Sequence, residues 1–490
     1  MPTALYTADT VREFDRRAIE EQGIPGYTLM VRAGQRLLAT INGRFGDAKR
    51  LLILCGSGNN AGDGYVLARM LRAQQRDLCV IALSDPARLT GDAALAYATF
   101  REAGGVTVDW RPDSLDGIDL VVDAIIGTGL SRPLGGPAKK IVSALNRADV
   151  PVLSVDVPTG LDADSGHVLG DAVRAGATVT FIGLKLGLFD GQGPEHTGDL
   201  IFDDLGVSIA GGERLAPVAR LIDRASFAQA LPPRKFDTHK GLLGHVLVIG
   251  GGPGMAGAAR LAGEAALRAG AGRVTVATSP TNVAAIVSGR PELMVAGIED
   301  PSDIGSLLGN VDVVAIGPGL GLDGWAQGLL RIVDASRLPI VFDADALTLL
   351  AQQPRARDDA ILTPHPGEAA RLLSCSVADI QRDRRAAVRA LCRQYGGVVV
   401  LKGARTLVAR RDELPWLCAH GNPGMATAGM GDVLTGVIAG LLGQMRDPLP
   451  AACCGVLAHA LAGDLAAQNG QRGLIAGDLS RRLPKVLNPS

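Results

Sequence analysis

The chain has 490 residues, of which 47% are hydrophobic and 20% are charged, and its formal net charge is -1. This length exceeds the roughly 250 to 300 residues at which one hydrophobic core stops growing, so we expect two domains. The near-zero charge argues against nucleic acid or an anionic membrane as a partner and favours a small-molecule ligand.

The cysteines and the N-terminal segment favour a cytoplasmic protein. Seven cysteines occur without CxxC or Cys/His ligand spacing, which predicts mostly buried thiols and neither a disulfide framework nor a zinc site. The first 22 residues are charged throughout and lack the apolar region of a secretory signal. The longest apolar helical stretch is expected at residues 433–445, short of the roughly 20 residues that span a bilayer.

The first half alternates short apolar runs with segments of helical spacing. The runs LLIL, LCVIAL, LVVDAIIG and VPVLSVDVP occupy residues 51–54, 78–83, 120–127 and 150–158. Continuous apolar runs of this length are typical of parallel strands that are covered on both faces. Residues 65–75 and 92–105 carry apolar side chains at helical spacing. This order predicts a Rossmann-like, doubly wound α/β domain.

Residues 206–235 interrupt the pattern with glycine, proline and charge, and we place the domain junction there. Strand, glycine loop and alanine-rich helix then recur at 244–270, followed by the runs VTVAT, DVVAIGPGLG, LPIVFDADAL, AILTPHPGE and GVVVLKGARTLVA. The second half shares this order but not the residues, which indicates a second α/β domain and not a repeat. The predicted ranges are 1–212 for the first domain, 213–224 for a linker and 225–490 for the second domain.

The first glycine-rich loop, CGSGNNAGDGY at residues 55–65, permits two interpretations. Its spacing approximates a dinucleotide-binding fingerprint, but that fingerprint needs an acidic residue closing the second strand, and the nearby Asp85 is followed by proline. Alternatively, the loop caps a helix, with Asp63 placed favourably at the helix N-terminus. The spacing alone leaves both interpretations open.

Polar residues also follow the third and fourth predicted strands, where ligands of open α/β sheets bind. Asparagine and threonine oxygens together with Asp123 suit a hard cation. The glycine turn at 127–133 suits a phosphate, which its backbone N–H groups would bind. Asp156 and Thr159 follow the fourth run.

The blocks GSGNNAGDGYVLARML, the aspartate before IIGTGLSRP, and SVDVPTGLDADSG resemble the YjeF-N family, an epimerase domain for hydrated NADH and NADPH, over about residues 1–212. The resemblance implies that Asn60, Asp123 and Thr159 hold a potassium ion. It implies that the hydrated nucleotide contacts Asn59, Asn60, Ala61, Gly62, Asp63, Gly127, Thr128, Gly129, Leu130, Ser131, Arg132, Pro133 and Asp156. The family often has glycine at the position of Ala61.

The hydrate is a carbinolamine, whose configuration is lost if hydroxide leaves or if the ring opens and recloses. A carboxylate that carries the hydroxyl proton assists either route. Asp156, at a strand end before a proline turn, is the predicted base. Lys185 in FIGLKLG can face the same crevice, but we favour a strand-end surface lysine.

In the second half, AGMGD at 428–432 runs directly into an apolar helix. Its backbone N–H groups would form an anion hole for phosphate at the helix start. Asp432 is either a helix-stabilising acid of the first turn or, as the glycine loop favours, a catalytic base beside a transferring phosphoryl group. The chain has no GxxxxGK[ST] or kinase HRD motif, which argues against those nucleotide-binding folds.

The patterns GMATAGMGDVLTG, TPHPGE and VVLKG are similar to the YjeF-C family, ribokinase-like dehydratases of the same hydrates, over about residues 225–490. The resemblance implies phosphorylation of the ring hydroxyl with Mg²⁺ and ADP, Asp432 taking its proton, followed by loss of phosphate. It implies hydrate contacts at Ala258, Gly319, His365 and Asp432, and nucleotide contacts at Lys402, Gly403, Ala404, Arg405, Thr406 and Gly431. Without the resemblance, His365 would be a turn residue and Lys402 a strand-end lysine.

Together the two resemblances imply one bifunctional repair enzyme. It would convert the R hydrate to S and dehydrate S to NADH or NADPH with ADP, giving AMP and phosphate. Two alternatives stay open: the second domain is a small-molecule kinase, and the first is a non-catalytic nucleotide-binding module. A homo-oligomer is expected, because glycine-rich and alanine-rich α/β domains of this type often assemble.

Overall fold

Two compact units make up the chain, Met1–Ala219 and Arg220–Ser490. The computed structural model describes residues 2–208 and 215–488. Residues 209–214, which include the end of the first predicted domain and the start of the predicted linker, lie outside the described residues. The division between the units falls inside the junction predicted at 206–235.

The first unit alternates strands and helices along the chain. Its strands are β1 (Ala4–Tyr6), β2 (Arg50–Cys55), β3 (Asp77–Ala82), β4 (Leu120–Ala124), β5 (Val152–Val155), β6 (Ala177–Phe181), β7 (Leu184–Lys185) and β8 (Asp199–Asp203). Its helices are α1 (Ala8–Glu20), α2 (Gly26–Arg44), α3 (Asn59–Ala73), α4 (Gly91–Glu102), α5 (Gly136–Leu145) and α6 (Gly193–Thr197). The predicted α/β class is confirmed for this unit.

A six-stranded sheet in the order β3-β2-β4-β5-β6-β8 forms the centre of the first unit, and its neighbouring strands are parallel. Leu51 and Ile53 face one core, which contains residues of α2, α3 and α4, whereas Leu52 and Leu54 face another, which contains residues of α5. Because both faces are covered, the strands are apolar without alternation. The strand order changes direction between β2 and β4, which opens a crevice at their carboxyl ends.

The first glycine-rich loop differs from its prediction in one respect. Helix α3 begins at Asn59, so that residues 59–63 are helical and do not form a loop before the helix. Asp85 accepts a hydrogen bond from the amide of Ala87 at 3.0 Å and caps a short turn of helix. Asp85 therefore has a local structural role, consistent with the weakness of the dinucleotide fingerprint.

The second unit has more elements, and β9 (Ala219–Leu221) leads into it. Its further strands are β10 (His245–Ile249), β11 (Arg273–Thr278), β12 (Met294–Gly297), β13 (Val313–Ile316), β14 (Ile340–Phe342), β15 (Ala360–Leu362), β16 (Val398–Leu401), β17 (Leu407–Arg410) and β18 (Trp416–Leu417). Its helices are α7 (Arg224–Ala230), α8 (Ala256–Arg268), α9 (Val283–Gly289), α10 (Gly305–Leu308), α11 (Gly324–Asp334), α12 (Ala344–Gln352), α13 (Pro366–Leu372), α14 (Val377–Arg382), α15 (Arg384–Tyr395), α16 (Met430–Met445), α17 (Pro448–Ala466) and α18 (Ala476–Leu487).

The sheet of the second unit runs in the order β12-β11-β10-β13-β14-β15-β16-β17-β18. Neighbours are parallel as far as β16, and β17 and β18 then continue antiparallel. The predicted run at 397–409 therefore forms a hairpin of β16 and β17. The strand order changes direction between β10 and β13, so a second crevice opens at the carboxyl ends of those strands.

Helix α17 corrects one expectation. The span Pro448–Asn469 is long and apolar enough, by length and composition, to cross a membrane, so the stretch at 433–445 is not the longest apolar helical segment. In the structure 67% of its apolar window is buried, and α17 packs against α16 and α18. Helices that are apolar on all sides are typical of protein cores as well as of membranes.

The cysteines agree with their prediction. All seven are free, and Cys55, Cys392, Cys418, Cys453 and Cys454 are buried. Burial raises the pKa of the Cys454 thiol to about 12, which disfavours the reactive thiolate. The prediction of mostly buried thiols is confirmed.

Glycines in α16 allow this helix to lie directly against α8. A Cβ atom at Gly436 would stand 2.0 Å from the carbonyl oxygen of Ala262, and one at Gly440 would stand 2.7 Å from that of Ala266. Both distances are shorter than a carbon and an oxygen tolerate, and the blocking atoms belong to the backbone. Side chains at these positions would push the two helices apart.

We therefore expect Gly436→Ala to destabilise the second unit by about 1–3 kcal/mol through overpacking. Gly477→Ala in α18 is the matched control, because its Cβ would meet only the Arg481 guanidinium at 3.9 Å and alanine favours a helix by roughly 1 kcal/mol. Urea unfolding of the second unit measures both. An unchanged midpoint in Gly436→Ala would contradict the packing described here.

Candidate functional site

A cavity of about 650 Å³ opens at the carboxyl ends of the strands in the first unit. This volume lies within the range of small-molecule sites. The predicted site residues that line it are Asn59, Asn60, Asp63, Gly127, Thr128, Gly129, Leu130, Ser131, Arg132 and Asp156. The cavity thus brings together residues from the ends of β2, β4 and β5.

Three residues of the predicted substrate set lie outside this lining, namely Ala61, Gly62 and Pro133. Ala61 is fully buried in the core, and a Cβ at Gly62 would stand 2.5 Å from the side chain of Met30. Helix α3 turns these two positions towards the core while it presents Asn60 and Asp63 to the cavity. Position 61 therefore has a packing role, in which alanine is accommodated as well as glycine.

Asp156 has an unusual backbone conformation just after β5. Its φ of 66° lies in the left-handed region, which residues with a side chain rarely adopt. Its Oδ1 accepts hydrogen bonds from Lys185 Nζ at 2.5 Å, Thr180 Oγ1 at 3.2 Å and the amide of Phe181 at 3.3 Å. Strained residues that are held in this way cluster at functional sites.

Lys185 is buried, so its interpretation as a surface lysine is wrong. Its side chain is 1% exposed, and Nζ also donates to the carbonyl oxygen of Phe181 at 2.8 Å and to Thr180 Oγ1 at 3.2 Å. A buried ammonium requires a counter-charge, and Asp156 supplies it. The pair fixes both side chains in the cavity wall.

Asp123, in β4, is fully buried and has no lysine or arginine within ion-pair distance in the described parts of the chain. Its carboxylate accepts hydrogen bonds from Thr159 Oγ1 at 2.6 Å, the Thr159 amide at 2.9 Å and Ser154 Oγ at 2.9 Å. Burial raises the pKa of Asp123, and these hydrogen bonds offset the rise only in part. On α3, Asn60 Nδ2 is buried without a partner among the described residues. A buried carboxylate that lacks a basic partner and lies beside hydroxyl groups suits a cation.

Charged residues that the sequence did not single out also line this cavity: Arg12 and Asp15 from α1, and Asp92 from the start of α4. Arg12 Nη1 donates to the carbonyl oxygen of Thr128 at 3.0 Å. Burial raises the pKa of Asp15, and the carboxylates of Asp156 and Asp92 add to the rise. No spacing motif connects these residues to the predicted blocks, since only the fold brings them together.

In the second unit, Asp432 lies in the first turn of α16. The helix is capped by Gly429 with a φ of 86°, a conformation that favours glycine. The first amides of a helix have no acceptor within it, and no side chain caps this one. Burial raises the pKa of Asp432 to about 6; the Asp343 carboxylate adds to the rise, and Lys402 opposes it. A carboxyl group of this pKa beside free amides suits a base next to a phosphoryl group.

Asp343, which follows β14, connects the elements around this helix start. Its side chain is 2% exposed. Oδ1 accepts hydrogen bonds from Lys402 Nζ at 2.7 Å and from Thr363 Oγ1 at 2.8 Å. Oδ2 accepts a hydrogen bond from Thr435 Oγ1 at 2.7 Å. Burial raises its pKa, but the Lys402 ammonium and the hydrogen bonds lower it more, so the net shift is downward. A Cβ at Gly431 would stand 3.4 Å from Lys402 Nζ, which places the lysine beside the first turn of α16.

Glu368 and His365 extend this network. Glu368 Oε2 lies 3.7 Å from Lys402 Nζ and accepts a hydrogen bond from the amide of His365 at 2.7 Å. His365 caps α13: its Nδ1 accepts from the amides of Gly367 at 2.9 Å and Glu368 at 3.3 Å, so its ring proton resides on Nε2. The ring is half-exposed. His365 therefore has the turn role considered from the sequence, and its ring also stays open to a ligand.

The turn at 402–406 joins β16 to β17 and is held by Arg384, a buried residue that the sequence did not single out. Nη1 of Arg384 donates to the carbonyl oxygens of Ala404 at 3.0 Å and Arg405 at 3.1 Å. The Arg405 guanidinium in turn donates to the carbonyl oxygen of Ala419. The backbone of the turn is thereby fixed beside Lys402.

The glycine loops after β10 and β13 meet at the second crevice. The amide of Gly251 donates to the carbonyl oxygen of Pro318 at 2.9 Å, and that of Gly252 donates to the carbonyl oxygen of Gly319 at 2.7 Å. Gly319 has a φ of 56°, and a Cβ there would stand 3.1 Å from the Cβ of Ala258. The predicted hydrate contacts Ala258 and Gly319 are therefore neighbours.

Comparisons with known proteins separate the chain into the same two halves. Residues 26–187 match the family model described as YjeF-related protein N-terminus, and residues 246–485 match the model described as NAD(P)H-hydrate dehydratase. A bifunctional NAD(P)H-hydrate repair enzyme of Coxiella burnetii is 45% identical over 99% of this chain and 100% of its own length. The protein of the same name from Escherichia coli is 44% identical over 100% of this chain and 95% of its own length.

Solved structures match the second half. An ADP/ATP-dependent NAD(P)H-hydrate dehydratase from Bacillus subtilis, co-crystallised with ATP and Mg²⁺, is 32% identical with a TM-score of 0.50, covering 54% of this chain and 96% of that one. A ribokinase-like superfamily protein from Enterococcus faecalis is 31% identical with a TM-score of 0.51, covering 54% and 94%. The predicted ribokinase-like class of the second domain is confirmed.

We expect Asp343→Ala to destabilise the second unit by about 3 kcal/mol at neutral pH, because the variant leaves the partly buried Lys402 ammonium without its nearest counter-charge. The folded-state pKa of Asp343 is lowered, so its contribution is present above the ordinary aspartate pKa and is lost as pH falls through the lowered value. Urea unfolding at neutral and acidic pH measures the difference.

The matched control is Glu413→Ala, which breaks a half-exposed ion pair with Arg410. Such pairs contribute less than about 1 kcal/mol. Equal unfolding free energies for the two variants would show that the buried pair does not anchor this site.

Proposed function

The chain belongs to the family of bifunctional NAD(P)H-hydrate repair enzymes, and we propose that its two sites divide this repair between them. The cavity of the first unit converts the R hydrate to S. The helix start of α16 in the second unit supports the nucleotide-dependent dehydration of S to NADH or NADPH. The observation that carries the proposal is that each family-matched region contains its own polar site at the carboxyl ends of its strands.

Asp156 is the proposed proton acceptor of the epimerisation. The reacting carbon bears a hydroxyl next to the ring nitrogen, and its configuration changes only after a bond at that carbon breaks and forms again. A carboxylate in the cavity wall accepts the proton that this exchange releases. Lys185 stabilises the negative charge and keeps the carboxylate oriented towards the cavity.

Asn60, Asp123 and Thr159 are the proposed ligands of a potassium ion. One observation supports the fit: the buried Asp123 carboxylate lacks a basic partner in the described segments. A bound cation would supply the charge that Asp123 lacks and would hold together the segments that follow β4 and β5.

Asp432 is the proposed base of the dehydratase site, where it takes the proton of the ring hydroxyl as that oxygen attacks the phosphoryl group. The free amides at the start of α16 receive the phosphoryl oxygens, and the turn at 402–406 contacts the nucleotide. Phosphate then leaves more readily than hydroxide would, so a ribokinase-like site serves a dehydration. Positioning and charge stabilisation dominate such a transfer.

Mg²⁺ would accompany the nucleotide, and Glu368 is the residue best placed to hold it. The oxygens of Asp343 are committed to Lys402, Thr363 and Thr435, whereas the one polar partner of Glu368 Oε1 among the described residues is the His365 ring, at 3.5 Å. Mg²⁺ usually keeps several waters and binds one or two carboxylates besides phosphate oxygens. The Glu368 carboxylate, with one oxygen available, therefore suits this ion. We propose ADP as the donor, which a comparison of rates with ADP and ATP would test.

A small-molecule kinase is the second candidate function, because the same base and helix start would also phosphorylate an alcohol. The reaction product distinguishes the dehydratase from the kinase. A dehydratase regenerates the dihydronicotinamide ring and releases phosphate, whereas a kinase accumulates a stable phosphate ester. Accumulation of such an ester from a vitamin alcohol, without repair of the hydrate, would favour the kinase.

Asp156→Asn and Asp432→Asn should separate the two halves of the repair. We expect Asp156→Asn to lower R-to-S conversion by about 10²- to 10⁴-fold while the dehydration of purified S continues. Asp432→Asn should abolish the dehydration of S while R-to-S conversion continues, because the two carboxyl groups act in different units. Each variant is the control for the other, and chromatography of the epimers measures both activities. Equal loss of both activities in either variant would argue against this division.

The dehydration rate should fall as pH drops through about 6, because Asp432 acts in its ionised form and its pKa is raised to about 6. We would measure the dehydration rate of purified S at saturating magnesium nucleotide across this pH range. These rates give the acidic side of the pH–rate profile. The Asp156→Asn variant should show the same pH dependence of the dehydration rate. A rate that is independent of pH through this range would remove Asp432 from the role of base.

A further inference from the structure

Asp63 lines the cavity of the first unit in a different environment from that of Asp156. It lies beyond the first turn of α3, where the stabilising effect of the helix N-terminus has largely faded. Among the described residues, no hydrogen bond or ion pair reaches its carboxyl group. Asp156, in contrast, accepts hydrogen bonds from an ammonium, a hydroxyl and an amide.

Three further carboxyl groups face the cavity that Asp63 lines. Asp15 from α1, Asp92 from α4 and Asp156 after β5 line the same cavity. Each carboxylate disfavours ionisation of the next at short range. Asp63 thus shares the cavity with three other carboxyl groups and, in the part of the chain that the structure describes, has no hydrogen-bond donor of its own.

The basic groups of the cavity are engaged or exposed. Lys185 is paired with Asp156, Arg12 is paired with Asp9 and bonded to the Thr128 carbonyl oxygen, and Arg132 lies on an exposed turn. In agreement with this arrangement, burial raises the pKa of Asp63 well above its usual range; Asp156 and Asp15 add to the rise, and Lys185 opposes it without reversing it.

We propose that Asp63 is the proton donor of the epimerisation and Asp156 its proton acceptor, the two carboxyl groups facing one cavity from α3 and from the end of β5. The proposal rests on the epimerase function proposed for this unit. Two carboxyl groups whose environments differ in this way divide acid and base roles in other enzymes.

The ring nitrogen lone pair expels the hydroxyl, the carbon–oxygen bond breaks, and the Asp63 proton joins the departing oxygen to form water. Water then adds to the other face of the carbon, a new carbon–oxygen bond forms, and Asp156 takes the proton that the attacking water releases. The proton returns from Asp156 to Asp63 through cavity water, and the reverse reaction exchanges the two roles.

The full-length protein with Asp63→Asn, compared with Asp63→Glu and wild type, tests this assignment. Interconversion of purified R and S is followed without ADP, and dehydration of S is followed with ADP. We expect Asp63→Asn to lower the epimerisation kcat by about 10²- to 10⁴-fold with little change in KM, and Asp63→Glu to restore part of it. Dehydration of S should stay at the wild-type rate, which also shows that the chain folds.

Two further measurements make the test independent of folding. In H₂¹⁸O the hydroxyl oxygen should be replaced in step with epimerisation, because the proposed route releases and adds water. The wild-type rate should fall as pH rises through the raised pKa of Asp63, since the protonated form acts. Epimerisation without label would indicate ring opening and overturn the proposal.

The remaining outcomes are also decisive. Wild-type protein that does not interconvert R and S faster than buffer would contradict the proposed epimerase itself. Wild-type epimerisation together with an Asp63→Asn rate within about threefold of it would overturn the role of Asp63 alone. A raised KM with unchanged kcat would make Asp63 only a binding residue and would overturn its role as acid.

Discussion

An ion pair between a lysine and an aspartate, with one partner fully buried, organises each of the two sites. Lys185 contacts Asp156 at 2.5 Å, and Lys402 contacts Asp343 at 2.7 Å. A buried charge requires an opposite charge beside it, so each pair locks its aspartate in place. In the first unit the locked aspartate itself faces the cavity. In the second it supports the helix that presents Asp432, and the remaining polar residues of each site are arranged around these pairs.

The fold could be predicted from the sequence because its main strands are continuous apolar runs. Parallel strands covered on both faces have this composition, and glycine-rich turns mark their carboxyl ends. Element boundaries were harder to predict, as at Asn59, where the asparagines of a glycine-rich loop are already helical. The core helix α17 was missed because its composition of small apolar residues lacks the amphipathic period of a surface helix.

The sites could be predicted only in part. Blocks of adjacent residues, such as 127–133 and 428–432, carry their own signal, and the predicted residues Asp156, Asp123 and Asp432 all lie at strand ends or helix starts. The burial of Lys185 could not be predicted, because it depends on how β7 packs in the folded unit. Asp343, Arg384 and Asp15 act through contacts with residues distant in sequence, for which a single sequence offers no spacing rule.

The most direct measurement gives purified protein the R or the S hydrate separately and follows the return of dihydronicotinamide absorbance with and without ADP and Mg²⁺. With both present, we expect recovery from S and also from R, the latter at the rate of epimerisation. Without nucleotide, R and S should interconvert while neither recovers absorbance. Recovery from S with R left unchanged would contradict a catalytic first unit, and no recovery from either would contradict the repair function as a whole.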